Sequence, residues 1–158
     1  MKIFYYCYGG AHSSVVAAAI HLEKVFPPLT YEKVKQLPYF DLTSPKNRGV
    51  PIKLGEDCDK NEIYFVGFGK DKQLIVKFVE SFLNAHGVED DRYIMVDCLA
   101  SISFYVKIGG FISKVLNLRK LGQMITAKGI VDSEKSLLKA VDVAKQVSEG
   151  KSDILTKI

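Results

Sequence analysis

A short segment near the N-terminus combines residue types that can bind and act on an anion. It reads Cys7-Tyr8-Gly9-Gly10-Ala11-His12-Ser13-Ser14 and joins a predicted strand to a predicted helix. Glycine lets the backbone approach a ligand closely, and the free N–H groups at a helix N-terminus attract negative charge. We therefore expect a phosphate-bearing or other small anion to bind through Gly9, Gly10, Ala11, His12, Ser13 and Ser14. The simpler alternative is a tight glycine turn before a helix that Ser13 or Ser14 caps.

Two side chains of this segment are candidates for catalysis. Cys7 precedes the predicted helix N-terminus and lies close to His12, a setting that lowers a thiol pKa and favours a nucleophilic thiolate. His12 could donate to a phosphate or act as an acid or base near neutral pH. The alternative for Cys7 is a buried apolar side chain that ends a strand.

Two further candidates follow other predicted strands. Asp97 could act as a general acid, or it could serve only in a turn. Lys70 could neutralise a phosphate, or it could simply be exposed. Ligands of open α/β sheets bind beyond the carboxyl ends of the strands, so three segments should meet there. They are Cys7 to Ser14, Gly67 to Asp71 and Asp97 to Ser101.

The order of the predicted elements indicates the fold class. Strands are predicted at residues 2–7, 62–68 and 92–96, and they alternate with helices at 13–25, 71–86 and 132–149. Shorter strands are predicted at 50–54 and 124–130, and a further helix at 102–116. This alternation is typical of an α/β protein with a mainly parallel, twisted sheet of about four to five strands and helices on both faces. We expect a single three-layer domain over residues 1–150 and a frayed tail at 151–158.

Composition excludes several classes of protein. The chain has 158 residues, of which 47% are hydrophobic, and a net charge of +4. This charge is too small to indicate nucleic-acid binding, and no run approaches the roughly 20 apolar residues of a membrane-spanning helix. The 3 cysteines form no C-x-x-C pair, which favours a reducing cytoplasm over a disulfide framework. Their wide spacing predicts no metal site, and without a Walker motif we expect no cofactor.

Segment 102–121 suggests an alternative function. No acidic residue occurs between Asp97 and Asp132, whereas basic residues do: Lys107, Lys114, Arg119, Lys120 and Lys128. An apolar, basic helix can bind a membrane surface or a partner, so the alternative is a non-catalytic interaction protein. A buried helix whose lysines reach solvent is the simpler explanation. Gly109-Gly110 would also allow close packing in a homo-oligomer. The sequence leaves open whether the protein is an enzyme.

Two known families resemble the first loop. Cys7, Gly10, Ser13 and Ser14 are similar to the phosphocysteine loop of IIB subunits of the cellobiose and lactose sugar phosphotransferase system, with His12 in place of a hydroxyl residue. This resemblance implies that Cys7 carries a phosphoryl group. The spacing of Cys7 and Ser14 also resembles low-molecular-weight tyrosine phosphatases, in which Ser13 would be arginine.

The chain as a whole resembles a bacterial family catalogued as a domain of unknown function, DUF3189. The similarity lies in Tyr6 to Ser14, in Ile108 to Ser113 and in Leu121-Gly122. The resemblance spans most of the chain and implies no particular activity.

Overall fold

The computed structural model describes residues 1–98 and 119–150, and predictions for residues 99–118 and 151–158 lie outside this range. The strands are β1 (Lys2–Cys7), β2 (Ile52–Glu56), β3 (Glu62–Gly67) and β4 (Tyr93–Asp97). The α-helices are α1 (Ser13–His21), α2 (Tyr31–Lys35), α3 (Lys72–Ala85), α4 (Arg119–Asp132) and α5 (Glu134–Ser148). Single 3₁₀ turns occur at Pro45–Asn47 and Asp90–Arg92.

The four strands form one mixed sheet in the order β2-β3-β1-β4. β1 runs parallel to both neighbours, with Ile3 opposite Ile63 of β3 and Ile94 of β4. β2 pairs antiparallel with β3 at the edge of the sheet. Strands rich in aromatic and β-branched residues suit a sheet that is covered on both faces. The predicted α/β fold and mainly parallel sheet are confirmed.

Alternate residues of β1 face two different layers. Ile3, Tyr5 and Cys7 lie in the larger core, where α1 packs on the sheet and against α5. Every residue of α1 is buried, and its alanines allow this close packing between two layers. Tyr6 lies on the opposite face, in a smaller cluster with Val76 of α3. Helices therefore cover both faces of the sheet, as predicted.

The strand predicted at residues 124–130 is wrong, because this segment lies within α4. Ala127 and Ile130, three positions apart, are buried, whereas Met124 and Lys128 are exposed. That spacing places the buried pair on one side of a helix. The β-branched residues of the segment favour a strand locally, but packing against α2 decides its conformation.

α1 ends at His21, earlier than the predicted end near Val25. Glu23 has a φ of 55°, in the left-handed region that typically ends helices. Beyond it, Lys24 N donates to Ala19 O at 2.8 Å, so the last turn is closed before the prolines are reached.

Of the segment 102–121 that carries the alternative function, only the backbone of residues 119–121 is described, at the start of α4. Within residues 1–98 and 119–150, no helix is both long and apolar enough to cross a bilayer. Large apolar side chains are nevertheless exposed along α3: Leu74, Phe78 and Phe82.

Candidate functional site around Cys7

The loop after β1 meets the turn after β3 and the end of β4 at one edge of the sheet. Backbone hydrogen bonds of 2.9 Å join Phe68 N to Cys7 O and Cys98 N to Tyr6 O. The three segments that were predicted to gather at the carboxyl ends of the strands therefore do so over the described residues.

Glycines make this meeting possible. A Cβ atom on Gly67 would lie 2.6 Å from the carbonyl carbon of Gly9, closer than real side chains approach. A Cβ atom on Gly10 would lie 2.7 Å from Gly67 N, and Gly10 also has a φ of +62°. The two turns thus touch backbone to backbone. This contact fixes the position of the loop of residues 7–14, called the Cys7 loop below.

Hydrogen-bond donors surround the Sγ atom of Cys7. Gly10 N–H donates to Sγ at 3.1 Å, and Ser14 Oγ lies 3.1 Å from Sγ. The N–H of Ser14 and the side chain of Ser13 also favour the charged form of the sulfur and lower its pKa. The prediction that one of these serines caps α1 is wrong, because His12 is the N-cap residue and the serines form the first turn.

The pKa of the Cys7 thiol results from two opposing effects. Burial disfavours a charged sulfur and raises the pKa. Hydrogen bonds from Ser14, Gly10 and Ser13 favour the thiolate and outweigh burial, so the pKa of Cys7 lies below its usual value. The positive end of the α1 dipole acts in the same direction.

The segment that follows α2 packs against the Cys7 loop and hydrogen-bonds to its backbone. Thr43 Oγ1 donates to Gly10 O at 3.0 Å. Asp41 N donates to Ala11 O at 2.8 Å. These bonds occupy carbonyl groups, whereas the N–H groups of residues 11–13 donate to no acceptor among the residues that the structure describes. Successive free amides at a helix N-terminus are a typical anion-binding arrangement.

His12 faces this outer loop. Its Nε2 atom lies 2.9 Å from Asp41 Oδ1, and its ring packs edge-on against Phe40. In the neutral ring, Nε2–H donates to the carboxylate and Nδ1 remains an acceptor. The two roles predicted for His12, a donor to phosphate and an acid or base, stay predictions.

Asp97 and Lys70 lie outside the ring of donors around Cys7. Asp97 pairs in register with Tyr6, so its side chain lies on the face of the sheet opposite Cys7. It forms an ion pair with Lys72 at the start of α3. Lys70 is exposed in the turn after β3. The structure thus brings the predicted loop residues together, but it does not place Asp97 beside Cys7.

The structure adds an arginine that sequence analysis missed. The Arg48 guanidinium lies 4.8 Å from the centre of the Tyr8 ring, and Tyr8 directly follows Cys7. Gly49 N donates to Gly67 O at 2.8 Å, which holds this segment against the same turn that supports the Cys7 loop. No motif pointed to Arg48, because only a tertiary contact brings it here.

A second buried polar cluster, the His21 cluster of Tyr5, His21 and Asp57, lies at the other end of α1. His21 Nδ1 lies 2.7 Å from Tyr5 Oη, and Nε2 lies 3.1 Å from Asp57 Oδ2. Burial lowers the pKa of His21, although the hydrogen bond that His21 donates to Asp57 opposes this effect. Sequence analysis missed the cluster, since a single histidine within a helix does not reveal its partners.

All three cysteines are free, with Cys7 and Cys98 buried and Cys58 exposed. Within residues 1–98 and 119–150, no group of three or more His, Cys, Asp and Glu residues could hold a metal ion.

Comparison with known proteins identifies the family. The sequence profile of a family described as protein of unknown function (DUF3189) matches residues 2–146. No curated protein and no solved structure matches the chain. The matched range includes the Cys7 loop, the whole sheet and most of α5. Because the match covers most of its length, the chain belongs to the DUF3189 family.

Proposed function

We propose that the Cys7 loop binds a phosphate-bearing small anion and that Cys7 accepts its phosphoryl group. The observation that carries this proposal is the convergence of Gly10 N–H and the Ser14 hydroxyl on a single sulfur, with a lowered thiol pKa despite burial. A cysteine that only fills the core needs none of these donors. Donors that stabilise a thiolate also suit the oxygens of a phosphoryl group bound to that sulfur.

The reaction begins with attack by the Cys7 thiolate on phosphorus. The S–P bond forms, the P–O bond to the leaving group breaks, and the leaving oxygen keeps the electron pair and takes a proton from solvent. The N–H groups of residues 11–13 hold the phosphoryl oxygens. Transfer to water or to a second acceptor then restores Cys7.

The positive charge for this site comes from outside the loop. Position 13 is serine, so the loop has no arginine of its own. Arg48, which stacks on Tyr8, and the exposed Lys70 supply the cations that neutralise the ligand. The function requires a free thiol, which fits a reducing compartment such as the cytoplasm.

Alkylation of the thiols by iodoacetamide tests the proposal, and the exposed Cys58 is an internal control in the same chain. Inorganic phosphate or vanadate should slow the modification of Cys7 several-fold and leave that of Cys58 unchanged. Incubation with p-nitrophenyl phosphate should leave a phosphoryl group on Cys7, detected by peptide mass spectrometry.

Two results would contradict the proposal. Anion binding would be contradicted if no anion changed the rate of Cys7 alkylation, in either the wild-type or the Ser13→Ala protein. Protection by phosphate without any phosphocysteine would remove the transfer step and leave a binding protein.

A further inference from the structure

Cys98 lies next to Cys7 across the sheet. Tyr6 of β1 pairs in parallel register with Asp97 of β4. Cys98 N donates to Tyr6 O at 2.9 Å, the bond expected for this pairing, and Cys7 and Cys98 are the next residues on the two chain segments. Cys7 and Cys98 are therefore neighbours on adjacent strands, whose usual spacing is about 4.8 Å.

Both thiols lie on the same side of the sheet. Cys7 and Cys98 belong to the same core cluster, with exposed fractions of 4% and 0%. A disulfide needs a Cα–Cα separation of about 4.4–6.8 Å, a range that includes the usual spacing of adjacent strands. β1 ends at Cys7 and β4 ends at Asp97, so the pair sits where a small shift of the chain disturbs few sheet hydrogen bonds.

The surroundings of the two thiols assign them different roles. Hydrogen bonds lower the pKa of Cys7 in spite of its burial. Burial, together with the proximity of Cys7 and Asp97, raises the pKa of Cys98 well above its usual value. Of the two thiols, Cys7 is therefore the one that more readily carries negative charge, and the thiolate is the form that attacks an oxidant.

We propose that Cys7 and Cys98 form a two-thiol site that a small peroxide oxidises to an intramolecular disulfide. The Cys7 thiolate attacks the peroxide, the S–O bond forms, the O–O bond breaks, and the departing hydroxide takes up a proton. Cys98 then loses its proton and attacks the Cys7 sulfenic acid, so the S–S bond forms and the S–O bond breaks. The hydroxide released from sulfur takes that proton and leaves as water. In total the two thiols lose two electrons and the peroxide is reduced.

This inference shares Cys7 with the proposed phosphoryl transfer but does not depend on it. Oxidation needs a thiolate and a neighbouring thiol, whereas transfer needs an anion held by the loop. The disulfide removes the nucleophile, so a peroxide would switch off any activity of Cys7 until a thiol reductant restores it.

The test is peptide mapping of the reduced full-length protein after exposure to hydrogen peroxide. We expect a disulfide between the Cys7 and Cys98 peptides, reversed by dithiothreitol. The Cys58→Ala variant is the matched control and should form the same bond to the same extent. In the Cys98→Ala variant the bond is lost, and dimedone should trap several-fold more sulfenic acid on Cys7.

Three outcomes would overturn the inference: Cys7 stays reduced, Cys7 is oxidised without a bond to Cys98, or Cys7 pairs with Cys58. Mapping of the wild-type protein decides this even if the Cys98→Ala variant fails to fold. Phosphate protection of Cys7 against iodoacetamide is measured on the same wild-type sample. Protection without the disulfide removes only the redox inference, and a disulfide without protection removes only the proposed function.

Discussion

A buried titratable group lies near each end of α1, Cys7 before the helix and His21 at its last residue. Both pKa values are lowered, but the shift favours the charged form of Cys7 and the neutral form of His21. Before the helix, hydrogen-bond donors lower the pKa of Cys7 in spite of burial, which favours a charged thiolate. At the end of the helix, burial lowers the pKa of His21, which favours a neutral imidazole. A lowered pKa stabilises the charged form of an acid but the neutral form of a base.

The partners of the two groups explain this difference. Gly10 N–H and the Ser14 hydroxyl hydrogen-bond to Cys7, which lies at the edge of the sheet where ligands of α/β proteins bind. His21 lies between the Tyr5 hydroxyl and the Asp57 carboxylate, so its polar atoms satisfy one another. We infer that the Cys7 loop serves function and that the His21 cluster serves stability.

The largest effect is expected where the Cys7 loop rests on the sheet. Gly67→Ala should lower the free energy of unfolding by about 3 kcal/mol, because its Cβ would overlap the Gly9 backbone. Gly87→Ala is the matched control: nothing lies within 4 Å, although its φ of +74° is strained for alanine. Its loss should be about 1 kcal/mol. Equal losses in urea unfolding would show that the contact does not fix the loop.

Removal of the His21 ring should act on stability alone. His21→Leu leaves Tyr5 and Asp57 without their shared partner, and we expect a loss of about 2–3 kcal/mol in the free energy of unfolding. His86→Leu, at an exposed position, is the control and should change little. The rate of Cys7 alkylation should be the same in both variants. A tenfold change in that rate would mean that the two ends of α1 are coupled.

Loss of one donor should weaken the Cys7 thiolate without unfolding the protein. Ser14→Ala removes the hydroxyl 3.1 Å from Sγ, so the thiol pKa should rise. A rise of one unit corresponds to about 1.4 kcal/mol and roughly tenfold slower alkylation below the pKa. The pH–rate profile of alkylation measures this shift, with Ser81→Ala on α3 as the control. An unchanged midpoint would show that the backbone donors suffice.

The His21 cluster should also make stability depend on pH. In the unfolded chain a histidine has a pKa of about 6.5, whereas burial lowers the pKa of His21 in the folded protein. Below about pH 6.5, the unfolded chain binds a proton that the folded chain excludes. The free energy of unfolding therefore decreases as the pH decreases, by at most about 1.4 kcal/mol per pH unit. Urea unfolding between neutral and mildly acidic pH measures this slope. His21→Leu should flatten it, and an equally steep slope in the variant would assign it to other groups.

The smallest effect is expected at the rim of the Cys7 loop. Arg48→Gln should weaken phosphate protection of Cys7 a few-fold, because an exposed ion contact contributes about 0.2–1 kcal/mol. Lys46→Gln, on the same exposed segment, is the control and should leave protection unchanged. Equal protection in all three proteins would exclude Arg48 from the ligand site.

Elements with a clear periodic or continuous apolar pattern could be predicted from sequence. β1 and β3 are continuous apolar runs, and α5 has a regular apolar stripe, so local pattern and tertiary packing agree there. The pattern was misleading at residues 124–130, where β-branched residues lie on a buried side of α4. Local preference for strand is weak compared with the packing of a whole segment.

The same division holds for the candidate site. Cys7, Gly10, Ser13 and Ser14 are close together in the chain, so their spacing alone indicated a strand-to-helix loop with donors near a thiol. Asp97 was placed at the correct edge of the sheet, but the pleat turns its side chain to the other face. Neither the pattern of a single strand nor its length reveals which face its last residue occupies relative to a neighbour.

By itself, the sequence determined the alternation of strands and helices and the composition of the first loop, because both depend on residues that are neighbours in the chain. Only the tertiary structure decided that Arg48 stacks on Tyr8, that Cys98 lies next to Cys7 across the sheet and that His21 bridges Tyr5 and Asp57. These contacts join residues far apart in sequence, and their geometry follows from strand order and register, which no local pattern encodes.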